Sequence, residues 1–459
     1  MASVKALFAP NDLTEGTPWK RIVEFTIPML IGNVAQQLYN TADSIVVGKY
    51  IGDNALAAVG SASPILNLLL VLFVGVSVGA GILVSQYFGA KDKEKLSRTI
   101  GTCITLNAIT SLIIMVLGPL IARPMLELLK TPASVLNWCE EYLNIFFLGI
   151  IGFSYYNIFA GILRGLGDSL SALLFLLVST FLNVILDIWF VAGFKMGVPG
   201  VALATILAQG ISAILCLLKI LKMKDSCDLN WAMLKLDKDI STKLIKLGLP
   251  SGLTQAIFSL AMIVVQSLTN SFGEMFIACN VIVMRVDGFA MMPNFSFGSA
   301  LTTFAGQNIG AKRMDRVDQG AKQGTLIAVA TATTITILIL LFGKYLMSIF
   351  TDTAELVDLS MRMMRILAVG YIAVAVSQYL SGVMRGAGDT MTPMWISLFT
   401  TIVLRVPIAY GLAYATRSEL YPVGRPESLF ISLLISWTLG AVITAIVYRK
   451  GKWRQINLQ

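Results

Sequence analysis

The stretch Gly161-Ile-Leu-Arg-Gly-Leu-Gly-Asp168 recurs further along the chain as Gly382-Val-Met-Arg-Gly-Ala-Gly-Asp389, displaced by 221 residues. A second motif, Ser85-Gln-Tyr-Phe-Gly-Ala-Lys91, recurs at the same displacement as Gly306-Gln-Asn-Ile-Gly-Ala-Lys312. Two unrelated motifs that share one displacement indicate a duplicated unit of about 220 residues. In membrane proteins, such duplication is typical of transporters, whose two homologous halves surround a central pathway.

The composition indicates that the solvent of this chain is lipid. Hydrophobic residues make up 56% of the 459 residues, charged residues make up 13%, and the mean hydropathy is +0.77, all outside the range of soluble domains. Apolar runs such as 66–84, 104–121 and 326–342 can each cross a bilayer core of ~30 Å, which takes roughly 20 helical residues. We therefore predict an all-α polytopic membrane protein.

Twelve transmembrane helices are predicted, in two six-helix lobes related by pseudo-two-fold symmetry. The predicted spans are residues 20–48, 55–87, 97–123, 138–163, 169–193, 198–222, 245–271, 276–308, 318–343, 358–384, 391–415 and 427–448. The longest polar connection follows the sixth span. We therefore assign residues 1–223 to an N-terminal lobe, 224–244 to a cytoplasmic linker and 245–459 to a C-terminal lobe.

The basic residues predict the orientation. Most of the 35 Lys and Arg residues lie in loops on one side of the predicted membrane, and loops rich in Lys and Arg face the cytoplasm. Both termini are therefore expected in the cytoplasm, with the halves as parallel repeats. The formal net charge of +9 is then a topology signal, and we expect no nucleic-acid partner.

Several kinds of chemistry are excluded by the residue types. The sequence has no histidine, which rules out a Ser-His-Asp triad and a His-ligated metal. The five cysteines lack metal-ligand spacing, and no GxxxxGK[ST] loop for ATP occurs. We expect no enzyme activity and no cofactor. The remaining energy source is an ion gradient that acts on carboxylates.

Two carboxylates inside the spans are candidates for that role. Asp187 in the fifth span shares a helical face with Asn183, which is one turn earlier. Asp43 in the first span shares a face with three polar residues: Gln36, Tyr39 and Asn40. A charge in the bilayer core costs about 2.5–3.5 kcal/mol by insertion scales, so such residues normally have a task. A hydrogen bond between helices is one interpretation, and binding of a cation or proton is the one we favour.

The second half does not repeat this acidic pair. Position 43 aligns near Val264 or Val265, and Arg405 aligns opposite Asp187, so the coupling chemistry is predicted in the N-terminal half. Pro28 of the first span does recur, as Pro250 of the seventh. Because an interior proline bends a helix, Pro28 is either a static kink or a hinge that responds to the cation.

The two-by-six layout and the two repeated motifs resemble the MATE family of multidrug and toxic-compound extrusion transporters, in particular its DinF-like bacterial and archaeal branch. The resemblance implies a hinge at Pro28 and a substrate cavity lined by Gln36 and Asn157. It also implies an H⁺ or Na⁺ site in the N-terminal lobe. The residues of that site would be Tyr39, Asp43, Asn183, Asp187 and Thr205, and a Na⁺ ion would be held at Asp43 and Asp187. The seventh span lacks the glutamate of the NorM-like branch, which favours the N-terminal site.

Three polar residues of the second half are further candidates. Arg285 and Asp287 lie two residues apart in the eighth span and cannot face each other on one helix. They either form structural ion pairs with other helices, including the one that carries Arg405, or contact the substrate or a gate. Gln378 of the tenth span is a candidate for substrate preference.

These observations predict a secondary active antiporter in the plasma membrane of a prokaryote. It would export hydrophobic or cationic drugs in exchange for H⁺ or Na⁺ by alternating access, as a monomer in the lipid bilayer. The alternative is a lipid-linked glycan or phospholipid flippase of the same superfamily. An anionic headgroup calls for several basic residues in the cavity, whereas only Arg285 and Arg405 lie inside spans.

Overall fold

A computed structural model describes residues 11–128 and 131–456. Several side chains between residues 40 and 72, that of Asp43 among them, lie outside the described part. Within the described residues, the first half forms seven α-helices, and a π-helical stretch, Ile188–Gly193, extends the sixth. The helices are α1 (Pro18–Tyr50), α2 (Asp53–Gly89), α3 (Lys93–Leu128), α4 (Ala133–Leu148), α5 (Ile150–Gly165), α6 (Ser169–Asp187) and α7 (Val198–Lys222).

The second half repeats this order of helices. A short 3₁₀ turn, Trp231–Leu234, precedes it, and a π-helical stretch, Phe399–Leu404, joins its fifth and sixth helices. Its helices are α8 (Lys238–Ser271), α9 (Glu274–Gly310), α10 (Met314–Ser348), α11 (Ala354–Gly386), α12 (Met391–Leu398), α13 (Arg405–Ala415) and α14 (Glu427–Lys450). A second 3₁₀ turn, Lys452–Gln455, follows α14.

Each predicted span coincides with one of these helices or with a broken pair. In the described part of the chain, nine helices are long and apolar enough to cross a membrane, and the α4–α5 pair makes a tenth. Helices α1 and α2 cover the first two predicted spans. The prediction of an all-α polytopic membrane protein is therefore confirmed.

The predicted span 138–163 is bent, by 56° between α4 and α5. Gly149 lies at the bend, where a Cβ atom would collide with the side chain of Ile206 in α7. The bend therefore needs a residue without a side chain. The hydropathy of the sequence does not reveal the bend, because both arms of the span are apolar.

Repeated glycines explain why the two halves share a fold. In the first half, Cβ atoms on Gly161 and Gly165 of α5 would press against the backbone of Ser77 and Gly81 in α2. In the second half, Gly382 and Gly386 of α11 meet α9 in the same way, against two residues displaced by the same 221 positions: Gly298 and Thr302. Two glycines of the repeated stretch, the first residue and the one after the arginine, thus allow two helices to approach closely in each half.

The other repeated motif also keeps its backbone in both halves. Lys91 and Lys312, which end the two copies, have φ angles of 56° and 58°, a left-handed conformation that is uncommon for a residue with a side chain. The second copy also has a definite structural task. The side-chain oxygen of Gln307 accepts the N–H of Leu13 at 2.9 Å, so this motif holds the segment that leads into α1.

Contacts divide the chain into two compact units. Unit 1 contains Ile27–Gly252, and unit 2 contains Leu13–Thr26 and Leu253–Leu458. Two of the changes of unit, after Thr26 and after Gly252, fall inside a helix and near a proline: Pro28 of α1 and Pro250 of α8. The lobe boundaries drawn at residues 223 and 245 remain a prediction, since a boundary read from loop polarity cannot detect a helix that begins in one unit and ends in the other.

Candidate functional site

Asp187 is the last residue of α6 and has no exposed surface. The π-helical stretch begins at the next residue, and π-helical segments frequently occur at functional sites, because one extra residue in the turn redirects the side chains. A carboxyl group enclosed in this way must exchange its hydration for hydrogen bonds, a cation or a proton.

Two neutral polar residues lie next to this carboxyl group along the same pair of helices. Asn183, one turn before Asp187, is completely buried, and its Nδ2 donates to the hydroxyl of Thr205 in α7 at 3.4 Å. The Thr205 hydroxyl in turn donates to the carbonyl of Val201 at 3.1 Å. The structure thus brings Asn183 and Thr205 together, and their part in a cation site remains a prediction.

Tyr39 of α1 is also buried, with 5% of its surface exposed. The side chain of Asp43, one turn further along α1, lies outside the described residues. Its pairing with Asp187 and a Na⁺ ion held by both acids therefore remain predictions. Carboxylate, amide and hydroxyl oxygens are the donors that hard cations prefer, and the residues of unit 1 that are described supply all three.

The part of the chain that the structure describes contains no group of three or more His, Cys, Asp or Glu side chains placed to hold a metal ion. Among the described residues, the predicted site has one carboxyl group, Asp187, and the neutral polar side chains of Asn183, Thr205 and Tyr39. Such a set suits an exchangeable proton or monovalent cation, because a single negative charge balances a single positive one.

The residues predicted for the hinge and the cavity are all partly buried. Pro28 lies in the interior of α1, where it removes one backbone donor, and Gln36 follows two turns later. The side-chain Nδ2 of Asn157 donates to the backbone carbonyl of Phe153 at 2.9 Å. The backbone carbonyl of Asn157 accepts the Ser77 hydroxyl at 2.7 Å. Asn157 therefore also links α5 to α2, and its role in a substrate cavity remains a prediction.

In unit 2, Arg285 is exposed and Asp287 is partly buried. The hydroxyl of Tyr371 in α11 donates to Oδ1 of Asp287 at 3.0 Å, and Arg405 attracts Asp287 through its charge. Gln378 is partly buried. Sequence reasoning missed Tyr371, although a hydroxyl in the middle of an apolar span could have drawn notice.

The repeated Asp168 and Asp389 turns are helix caps. Asp168 accepts the N–H of Ser171 at 2.9 Å and the hydroxyl of Ser171 at 2.7 Å. The Nζ of Lys219 lies 3.6 Å from Oδ2 of Asp168. Asp389 accepts the N–H of Thr392 at 3.0 Å. Burial raises the pKa of Asp168 above its usual range, although Ser171 and Lys219 oppose that shift. These acids stabilise helix ends, which separates them from Asp187.

Comparisons with known proteins agree with this arrangement. The family model MatE matches residues 28–189 and 250–411, one match in each repeat. The probable multidrug resistance protein YoeA of Bacillus subtilis is 30% identical over 426 residues, which cover 91% of this chain and 92% of that protein. The probable multidrug resistance protein YpnP of the same organism is 29% identical, with 97% and 98% covered.

Solved structures give the same result. The outward-facing conformation of a multidrug resistance MATE family transporter of the MOP superfamily has a TM-score of 0.88 and 25% identity, covering 95% of this chain and 96% of that one. Two further MATE structures, one in a bent and one in a straight conformation, also have a TM-score of 0.88 and 25% identity. The bent structure is matched over 95% of this chain and 96% of its own, and the straight structure over 96% and 97%. This chain is therefore a member of the MatE family, the multidrug and toxic-compound extrusion proteins, and it is a membrane transporter and not an enzyme.

Proposed function

We propose that the protein is a secondary active antiporter, which exports hydrophobic and cationic drugs while H⁺ or Na⁺ moves into the cell. The observation that carries the proposal is the fully buried carboxyl group of Asp187, one turn beyond the Asn183–Thr205 hydrogen bond. Ionisable residues that are buried in membrane helices commonly belong to ion pathways and proton relays. Multidrug resistance in the names of the relatives supports drugs as the exported compounds.

The coupling ion acts by changing the charge of the buried site. Without a cation, the carboxylate stands in surroundings that disfavour its charge. A proton or a Na⁺ ion neutralises it, and a proton also converts one carboxyl oxygen into a hydrogen-bond donor. Asn183, Thr205 and Tyr39 then complete the hydrogen bonding of the neutral form. With Asp43 nearby, repulsion between the two acids would strengthen cation uptake further.

Exchange requires that this local event reaches the drug cavity. Pro28 supplies the mechanical link, because α1 carries Tyr39 and Asp43 beyond a break in its own hydrogen bonding. A change in the bend at Pro28 would move Gln36 and thereby alter the cavity. The existence of bent and straight conformations of a related transporter supports this step. When the site switches between its charged and its neutral state, the cavity then opens alternately to the two sides of the membrane, which is alternating access.

The orientation of the protein gives transport a direction across the membrane. The Lys and Arg residues favour an arrangement with both termini in the cytoplasm. Bacterial relatives support the plasma membrane as the location. The working unit is a monomer, because one chain supplies both repeats and the complete predicted site. Drug then leaves the cytoplasm while the ion enters it.

Efflux from proteoliposomes tests the proposal. Ethidium export is measured with a pH gradient and a Na⁺ gradient imposed separately. We expect at least one gradient to drive export, and the responding gradient identifies the coupling ion. Ethidium movement that is indifferent to both gradients would contradict antiport.

A matched pair of variants connects the result to the site. Asp187→Asn should abolish gradient-driven export, since an amide can neither bind nor release a proton and carries no charge for Na⁺. Asp168→Asn is the control, because both aspartates are buried and lie at opposite ends of α6. It should lower stability, because it removes the charge that faces Lys219 and the oxygen that accepts the Ser171 hydroxyl, but leave coupling intact. Equal loss of coupling in the two variants would show that Asp187 has no special part.

A further inference from the structure

The polar linker that follows α7 is held against the start of α3. The hydroxyl of Ser97 accepts the N–H of Asp228 at 2.9 Å, and the hydroxyl of Thr105 donates to the carbonyl of Leu234 at 2.5 Å. Between these two contacts, a Cβ atom on Gly101 would collide with the backbone of the linker. The glycine therefore allows the linker to lie directly on α3, in a fixed place.

That place is the border between the charged and the apolar part of α3. Residues 93–98 include three basic side chains, whereas every exposed side chain between residues 109 and 121 is apolar. The linker contacts lie between these parts, from Ser97 to Thr105, a rise of about 12 Å at 1.5 Å per residue. A change from basic to lipid-facing apolar side chains marks the headgroup layer of a bilayer. The 3₁₀ turn Trp231–Leu234 therefore lies at the depth of the headgroups.

The side chain of Trp231 projects from this turn with 89% of its surface exposed. The turn itself is capped, because the side-chain oxygen of Asn230 accepts the N–H groups of Ala232 and Met233 at 3.0 and 3.2 Å. Leu236, just after the turn, is also exposed. Tryptophan is enriched where membrane meets water, since its ring is apolar and its N–H is polar. The turn thus presents an indole suited to that layer.

The second repeat has a counterpart in which the indole is buried. Its 3₁₀ turn, Lys452–Gln455, contains Trp453, 222 positions after Trp231. Trp453 is 1% exposed, its Nε1 donates to the carbonyl of Tyr448 at 3.0 Å, and the two rings stack with centroids 5.1 Å apart. One repeat therefore packs its tryptophan on its own helix, whereas the other directs it outward, toward a partner outside the chain.

The charges around the turn indicate what that partner is. Of the four aspartates between residues 222 and 240, two face basic groups: Asp237 lies 3.9 Å from Arg98, and Asp239 lies 3.0 Å from Lys243. The other two do not balance the four exposed lysines of the same stretch, which are Lys222, Lys224, Lys235 and Lys238. Lysines beside an apolar anchor at a membrane surface attract anionic lipid headgroups.

We propose that the linker turn is a membrane-surface anchor that binds anionic phospholipids of the adjacent leaflet. The side chains of Trp231 and Leu236 enter the layer between headgroups and acyl chains, and Lys235 and Lys238 contact the lipid phosphates. With the orientation proposed above, this leaflet is the cytoplasmic one. The contact with lipid depends neither on that orientation nor on the proposed antiport, so its test needs no measurement of transport.

Quenching of tryptophan fluorescence by brominated phospholipids tests the anchor in the full-length, reconstituted protein. Bromine quenches an indole on contact, so its position along the acyl chain reports depth. We expect Trp231→Phe to remove a component that lipids brominated near the headgroup quench more than lipids brominated near the chain end. Trp453→Phe is the matched control, since it removes a buried indole and should leave that component intact. The same lipid-quenched component in the wild type and Trp231→Phe would overturn the anchor, as would a Trp231 component that only aqueous acrylamide quenches.

The same measurement tests the preference for anionic headgroups. Brominated phosphatidylglycerol should quench the Trp231 component more than brominated phosphatidylcholine at the same share of the bilayer. Lys235→Gln combined with Lys238→Gln should abolish the difference, and so should raised salt, because salt screens exposed charges. Lys195→Gln, just before the other end of α7, is the control and should keep the difference. Equal quenching by the two lipids in the wild-type protein would overturn the anionic preference.

Discussion

The fifth span of the first repeat and its counterpart in the second repeat both contain a π-helical stretch, but the first stretch follows Asp187 and the second precedes Arg405. The same halves share glycine contacts at a constant displacement, Gly161 against Ser77 and Gly382 against Gly298. Backbone packing has thus been kept in both halves, whereas the charged side chains have diverged. The comparison teaches that the scaffold is set by close helix approach, which tolerates different chemistry in the span that follows.

The largest expected effect comes from breaking the shared scaffold. Gly161→Leu and Gly382→Leu should each prevent accumulation of folded protein, because even a Cβ atom at these positions meets the backbone of the neighbouring helix. Overpacking by a few carbon atoms costs about 1–3 kcal/mol in ordinary cores, and here the obstacle is backbone. Gly411→Leu is the control, since nothing lies within 4 Å of a Cβ there. Detergent-solubilised yield measures the effect, and equal yields for the three variants would refute the packing role.

Next in size is the hinge comparison. Pro28→Ala restores a backbone donor in α1 and should strongly slow gradient-driven efflux, because the helix that carries Tyr39 loses its bend. Pro250→Ala makes the same change in α8, whose nearby positions carry no acid, and should slow efflux less. Initial efflux rates at matched protein amounts decide between them. A larger defect in Pro250→Ala would move the responsive hinge to the other half.

Much of this comparison could be predicted from sequence. The spans were predicted because their apolar runs are long and bounded by charged loops. The positions of Asn183 and Asp187 on one face followed from helical spacing. The bend at Gly149 and the division of α1 beside Pro28 could not be predicted, since they depend on contacts between distant helices. The bond from Tyr371 to Asp287 was missed for the same reason: spacing relates residues on one helix and says little about the next.

A moderate effect is expected from the neutral partners of Asp187. Thr205→Ala removes the hydrogen bond with Asn183, which is worth about 0.5–1.5 kcal/mol, so the apparent affinity for the coupling ion should fall about 2- to 10-fold. Ser212→Ala is the control: this buried hydroxyl of α7 donates to the Phe175 carbonyl of α6 at 2.8 Å. It should leave ion affinity unchanged. Efflux against a series of ion gradients measures both, and equal shifts would make Thr205 a structural residue only.

The smallest effect should come from neutral polar residues of the second half. Gln255→Ala and Gln378→Ala are expected to change drug preference or affinity while ion-driven efflux stays measurable, because neither residue can carry the coupling charge. Competition between ethidium and a neutral drug gives the preference. Complete loss of ion dependence in a well-expressed variant would mean that the second half holds an essential part of the coupling site.

The central claim is that acids of the first half couple the ion to the drug. Its most direct test is the double variant Asp43→Asn, Asp187→Asn in proteoliposomes, with ethidium binding and gradient-driven efflux measured on the same preparation. Both asparagines imitate the neutral state of the site, so we predict that ethidium still binds while neither a pH gradient nor a Na⁺ gradient drives its export. Normal proton- or sodium-driven efflux in this double variant would contradict the account.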